Sequence, residues 1–293
     1  MKNLNVLLLT CILFPIFAWA DPVDSCGSEY ECIEIGRWDI GLALGYGSRS
    51  NPLKDYEDIP IYLAPTFAYY GDNWHFDNGN FGYTLVEDEK YTINLTTSFS
   101  NDSAFFRRWD PSNIFLTNNN DLDLKSFSIR TQPTVIEEDQ GVPTPDELET
   151  RHFTYLGGVE AYIYTRIGIL NLSLAHDLLN VHRGTEAKLK WLYNHSIEEW
   201  KFELALVLDW KSEEVVDYYY GIRPSESAYW SENFQARSAI NTGIELTSHY
   251  VLTEHWELLF LARYTQLADE IVASPLLNED HTSTFFVGTA YRF

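Results

Sequence analysis

Apolar and polar residues alternate along much of this chain. From Trp200 to Trp210 the even positions (Trp200, Phe202, Leu204, Leu206, Leu208 and Trp210) are all apolar, and between them lie Lys201, Glu203, Ala205, Val207 and Asp209. A period of two places these sets on opposite faces of a strand, one apolar and one mixed. Tryptophans stand at both ends. A strand of this length, rising about 3.3 Å per residue and tilted by about 40°, spans roughly 25 Å, the height of the apolar band of an outer-membrane barrel with an aromatic girdle at each edge. A soluble sandwich also alternates, but has no need of aromatics at both ends. The pattern recurs in Trp38, Ile40, Leu42, Leu44 and Tyr46, in Trp256, Leu258, Phe260, Ala262 and Tyr264, and in Phe285, Val287, Thr289, Tyr291 and Phe293. Trp38, Tyr46, Trp200, Trp210, Trp256, Tyr264 and Phe293 are therefore expected in the girdles.

Further strands are expected near 60–71, 73–86, 89–100, 152–164, 166–177, 184–194 and 236–250, with second faces of Gly, Asn, Thr, Ser or charge that suit a polar lumen. That makes an odd total, whereas single-chain bacterial barrels have an even number of strands and both termini in the periplasm. Asn78-Gly79 is a hairpin signal that splits 73–86 in two. The expectation is an all-β, transmembrane, antiparallel up-and-down β-barrel of twelve strands, with ten as the alternative. Counted back from a periplasmic Phe293, the connections at 268–282, 211–235 and 101–151 fall outside and are long. Those at 251–254, 195–199 and 165 fall inside and are short, which is the asymmetry of outer-membrane barrels. The nearest thing to a helix is a short turn around Ser212 to Tyr219.

The N-terminus changes where the domain starts. Lys2, the apolar run Leu4 to Phe17 and Ala18-Trp19-Ala20 read as a secretory signal at 1–20, too short in its apolar part for a spanning helix. A leader over 21–35 carries Cys26 and Cys32, which in an oxidising periplasm form a candidate disulfide; the barrel takes 36–293. No later apolar run is long enough for a membrane helix, so an aromatic content of 15% belongs to a β-protein. The net charge of −23 repels phosphates, and with no basic stripe to oppose it nucleic acid is excluded as a partner. The acid surplus suits solvent-facing loops.

Little of the chain reads as chemistry. The acidic stretch Glu137 to Glu149 contains two prolines and lacks the ligand spacing and central Gly of a calcium loop, so it reads as a solvated loop, as do Asp121 and Asp123. His75, His152, His176, His182, His195, His249, His255 and His281 are scattered, and no Gly-x-Ser-x-Gly elbow occurs. No catalytic, cofactor-binding or metal residue is assigned. A Ser–His pair on adjacent strands is the weakest of the alternatives, since such a pair is spatial and leaves no local motif. Lys201, Glu203, Asp209, Glu245 and Arg263 are expected to face the lumen, lining a channel or pairing within a filled interior.

The punctuation residues add a resemblance. The segment GLALGYGSRSNP (41–52), IPIYLAPTFAYYGDNWHFDNGNFGYTLVE, DYYYGIRPSES (217–227), SPLLNED (274–280) and the terminal VGTAYRF occur in that order. This succession resembles the MltA-interacting protein (MipA) / OmpV family of outer-membrane proteins over nearly the whole mature chain. The matching loop residues are Asn51, Pro52, Gly221, Arg223, Pro224, Ser274 and Pro275. The resemblance implies a non-enzymatic barrel among outer-membrane lipid and lipopolysaccharide, scaffolding a lytic transglycosylase and a murein synthase, with no catalytic residues to carry over. A small-solute channel and an adhesin acting through the outer loops are the alternatives. Read physically, the prolines shape loops folded onto the barrel mouth. Gly221 is expected to supply a conformation other residues resist, and Arg223 to pair with loop acids or anions.

Overall fold

The computed structural model describes residues 35–108, 110, 113 and 141–293. The signal at 1–20, Cys26 and Cys32, Asp121 and Asp123, and the first part of the acidic stretch lie outside these residues. Twelve antiparallel strands close into a barrel in simple up-and-down order. They are β1 (Trp38–Arg49), β2 (Ile59–Tyr70), β3 (Trp74–Asp77), β4 (Asn80–Glu87), β5 (Tyr91–Phe99), β6 (Tyr155–Thr165), β7 (Gly168–Asp177), β8 (Thr185–Ile197), β9 (Trp200–Lys211), β10 (Ala239–Val251), β11 (Trp256–Gln266) and β12 (His281–Arg292). The last closes on the first, from Gly41 opposite Arg292 to Arg49 opposite Thr284. The parity question resolves at Asn78-Gly79: φ values of 48° and 90° make the tight turn that joins β3 to β4. All ten remaining strands begin or end within three residues of the expected bounds.

Every inward turn is short, 252–255, 198–199 and 166–167 among them, and the connections at 100–154, 212–238 and 267–280 are long. Trp38, Trp200, Trp256 and Phe293 gather at the periplasmic end, and Tyr46, Trp210 and Tyr264 at the outer end. The rings form continuous belts: Trp38 lies 5.2 Å from Tyr69, Tyr69 stacks on Trp74 at 4.7 Å, and Tyr291 sits 4.9 Å from both Trp256 and Phe293. Tyr46 meets Tyr62 and Phe285 at 5.9 Å in the outer belt. Leu44, Leu206, Leu208, Ile244, Leu246 and Val287 are exposed between the belts, where lipid replaces a protein core.

The lumen is filled unevenly. One side is apolar and tight: Ala43, Ile61, Ala64, Leu259, Leu261, Phe286 and Ala290 are buried together. Phe286 lies flat over backbone, and a Cβ on Gly45 or on Gly288 would stand 2.6 or 2.8 Å from its ring. These glycines are present because the aromatic ring occupies the space a side chain would take. The other side carries the charges.

One strand contact in the wall is short. With only four residues, β3 forms three residue pairs with β2, Ala68–Tyr70 against His75–Asp77, while β9 and β10 form twelve. Among the described residues, no group hydrogen-bonds to that side of β2 between Ile59 and Thr66.

Candidate functional site

The long outer connections fold into a cap with its own core. Leu53 from 50–58, Phe105 from 100–154, Val215, Val216, Tyr219, Tyr220 and Ile222 from 212–238, and Leu267, Ile271 and Leu276 from 267–280 are buried against one another. The centre is helix α1 (Glu213–Tyr220), whose Val215, Val216, Tyr219 and Tyr220 have no exposed surface. Their spacing is the one-sided helical pattern of a core-facing helix, and Glu213 and Glu214 favour its N-terminal end. Each buried aliphatic or aromatic side chain contributes at most about 1.5–3 kcal/mol.

The loop residues that carried the family resemblance lie in this cap. Asn51 donates from Nδ2 to the Phe105 carbonyl at 2.8 Å and accepts from the Leu53 amide at 3.1 Å. The Pro52 carbonyl receives the amides of Asn278 and Glu279, and Ser274 Oγ donates to the Tyr220 carbonyl at 2.6 Å. Pro275 follows the short helix Asp269–Val272, and Pro224 lies in an exposed turn beyond α1. Arg223 pairs with Glu149 and covers the Tyr218 ring at 5.5 Å. Gly221 differs from expectation: its φ of −73° and ψ of 157° suit any residue. Glycine is needed there for space, since a Cβ would stand 2.2 Å from the Asp217 carbonyl oxygen.

Two buried charge clusters hold the cap, one joining its connections to each other and one joining it to the barrel. Arg151 binds Glu226 at 2.5 Å, both side chains fully buried, and also donates to the carbonyls of Glu149 and Gly221. Lys211, at the outer end of β9, reaches Asp102 at 2.7 Å, Asp209 at 3.1 Å and Glu186 at 3.6 Å. Tyr220 donates to Asp102 at 2.8 Å and Ser100 to Glu186 at 2.7 Å. Burial opposes the charge of Asp102, but Lys211 and the Tyr220 hydroxyl outweigh it and hold its carboxyl below the usual range. Glu226 is likewise held low: burial opposes its charge, and Arg151 and the backbone amides of Arg223 and Glu149 prevail.

This gives the cap a pH dependence. A carboxyl whose folded pKa is depressed contributes stability that is complete above its unfolded value of about 4 and is lost as pH falls through the folded value. The cap is therefore expected to hold from neutral pH down to about 4 and to loosen below it. Limited proteolysis of the refolded protein across that range measures this; cleavage in 212–238 that does not rise on acidification would contradict it.

Beneath the cap is a chamber of about 140 Å³ in the lumen. It is lined by Arg49, Lys188, Lys190, Lys211 and Arg263 against Asp102, Asp209 and Glu245. Of the charges expected in the lumen, Glu245 pairs with Lys190 at 2.9 Å and with Arg263 at 2.7 Å. Asp209 joins the Lys211 cluster, while Glu203 and Lys201 lie lower on β9. No group of metal-binding side chains occurs among the described residues. The scattered histidines do not converge. The tertiary core of the cap was invisible in the sequence except for the apolar spacing of α1.

A closed antiparallel barrel with lipid-facing apolar strands, aromatic belts and long outer connections is an outer-membrane protein. The chain belongs to the MltA-interacting protein MipA family, whose model matches residues 40–293. It is 27% identical over 255 residues to the MltA-interacting protein of Escherichia coli (strain K12), covering 87% of this chain and 90% of that one. It is also 27% identical over 256 residues to the putative outer membrane protein YiaT of the same organism, covering 87% and 91%. To the outer membrane protein OmpV of Vibrio cholerae it is 23% identical over 228 residues, covering 75% and 86%. Among solved structures the NanC porin superposes at a TM-score of 0.38 and 12% identity, covering 88% of this chain and all of that one.

Proposed function

We propose that this protein is a non-enzymatic outer-membrane scaffold that docks murein-remodelling enzymes, a lytic transglycosylase and a murein synthase, at the periplasmic face. The observation that carries this reading is the cap. A mouth sealed by a shared apolar core and buried ion pairs suits a fixed anchor better than an open passage for solutes. The MltA-interacting relative supports the class of partner. Crosslinking in native membranes followed by purification of the full chain tests it. Enrichment of a lytic transglycosylase or a murein synthase is the expected result, and their absence from crosslinked material that still contains the barrel would overturn it.

A channel is the second reading, favoured by the charged chamber. Planar-bilayer recording separates the two. The scaffold reading expects no conductance steps from the intact protein.

A further inference from the structure

We propose that the 178–184 connection is an acid-sensitive latch beneath the cap, in which a buried neutral His182 holds the β7–β8 hairpin under α1 and releases it on taking a proton. The His182 side chain is fully inaccessible, and its ring lies against the cap helix, 6.1 Å from Tyr218 and 5.8 Å from Tyr219. The hairpin meets the start of α1 at two further points. The Thr185 amide donates to Ser212 Oγ at 3.0 Å, and the Ser212 amide donates to the Thr185 carbonyl at 3.0 Å. A Cβ on Gly184 would stand 2.5 Å from Val215 Cγ2, so backbone and helix are in direct contact there. The connection is itself held in an unfavourable shape. Asn180 and Arg183 have φ values of 55° and 56°, a region that residues with side chains rarely adopt and that is common in segments that switch.

The geometry suits only the neutral ring. The Gly184 amide donates to His182 Nδ1 at 2.9 Å, which makes Nδ1 the acceptor and puts the single ring proton on Nε2. A second proton would sit on Nδ1, facing that amide. Asp177 is in no position to receive it. Its Oδ2 is 4.0 Å from Nδ1. Its two oxygens already accept four donors, Thr154 Oγ1 at 2.5 Å and the amides of Leu179, His182 and Arg183 at 2.8, 2.8 and 2.9 Å, which fills a carboxylate. Nε2 is buried with no acceptor among the described residues. The other charges around the ring are Glu186, Asp102 and Lys211, already joined in one cluster, and Glu214 of α1, which bonds to Ser212. Burial outweighs the carboxylates of Glu186, Asp177 and Asp102 and holds the imidazole below its ordinary pKa of 6.5. Above 6.5 the ring is neutral whether the latch is closed or open. As pH falls from there to the lowered value, only the open form is protonated, and the closed form loses stability. The carboxylates of Glu226 and Asp102 keep their charge down to about pH 4, so the latch opens first and the core of the cap persists.

Hydrogen exchange of the full-length refolded protein in neutral micelles, corrected for the intrinsic rate at each pH, tests this. Between about pH 7.5 and 5.5 the amides of 178–184 are expected to lose protection about tenfold, the change for one imidazole that stays neutral only in the closed form. Protease cleavage in 212–238 is expected to stay low over the same range. His182→Asn, whose Oδ1 can replace Nδ1 as the acceptor for Gly184, should abolish the change, and His176→Asn on the adjoining strand should keep it. The ring C2 proton of His182 in the unaltered protein supplies a measurement that needs no variant, and it is expected to titrate below 6.5. Unchanged protection of 178–184 down to about pH 5.5, a transition that survives in His182→Asn, or a His182 ring that titrates at or above 6.5 would overturn the proposal.

Discussion

Replacing Lys211 by Met is expected to destabilise the mouth of the barrel by about 3–5 kcal/mol, the magnitude for breaking a buried ion cluster from one side. The ammonium is nearly inaccessible and sits among Asp102, Asp209 and Glu186, at 2.7, 3.1 and 3.6 Å. Removing it leaves three carboxylates facing one another with most of their hydration already lost. Asp102 also holds Tyr220, so the damage passes into the apolar core of the cap. Urea unfolding of the refolded protein, followed by tryptophan emission, measures the total, and protease cleavage in 212–238 localises it. Lys211→Met combined with Asp102→Asn should recover part of the loss, because the two positions share one network. A loss below about 1 kcal/mol, the range of solvent-exposed pairs, would show that water reaches the cluster.

Phe286→Ala is expected to cost about 3–5 kcal/mol by a different route, the cavity left when a large buried ring is removed. The ring is 1% exposed and is packed with Ala43, Ile61, Leu259, Leu261 and Ala290. Its neighbours on β1 and β12 are glycines, which have no side chains to relax into the space. Gly45→Val tests the same contact from the other side. Its Cβ would meet the Phe286 ring at 2.6 Å and the Val287 carbonyl oxygen at 2.3 Å, so the strand pairing must shift. The temperature at which the folded band is lost on a gel reports both variants. If Phe286→Ala leaves it unchanged, the lumen has repacked and the apolar cluster is not a structural element of the barrel.

The expectations from sequence succeeded where the information is local. Alternation at Trp200–Trp210 and Trp256–Tyr264 marks strands because lipid on one side and lumen on the other enforce a period of two. Asn78-Gly79 marks a turn because both residues tolerate positive φ. Gly221 shows the limit: glycine fits both an unusual φ and a lack of space, and only the position of the Asp217 carbonyl tells them apart. The shortness of β3 was likewise hidden. Nothing in Trp74-His75-Phe76-Asp77 says that the strand ends after four residues.

The sequence by itself determined the barrel, an even strand count of twelve or ten, its orientation and its family resemblance, since each depends on residues close together in the chain. Only the tertiary structure decided what the outer connections do. Leu53, Phe105, Tyr220 and Leu276 come from four connections up to 223 positions apart, and no period or spacing relates them. They meet because closing the barrel brings the ends of its hairpins together over one opening, where burying apolar surface and satisfying Lys211 and Arg151 become the same event.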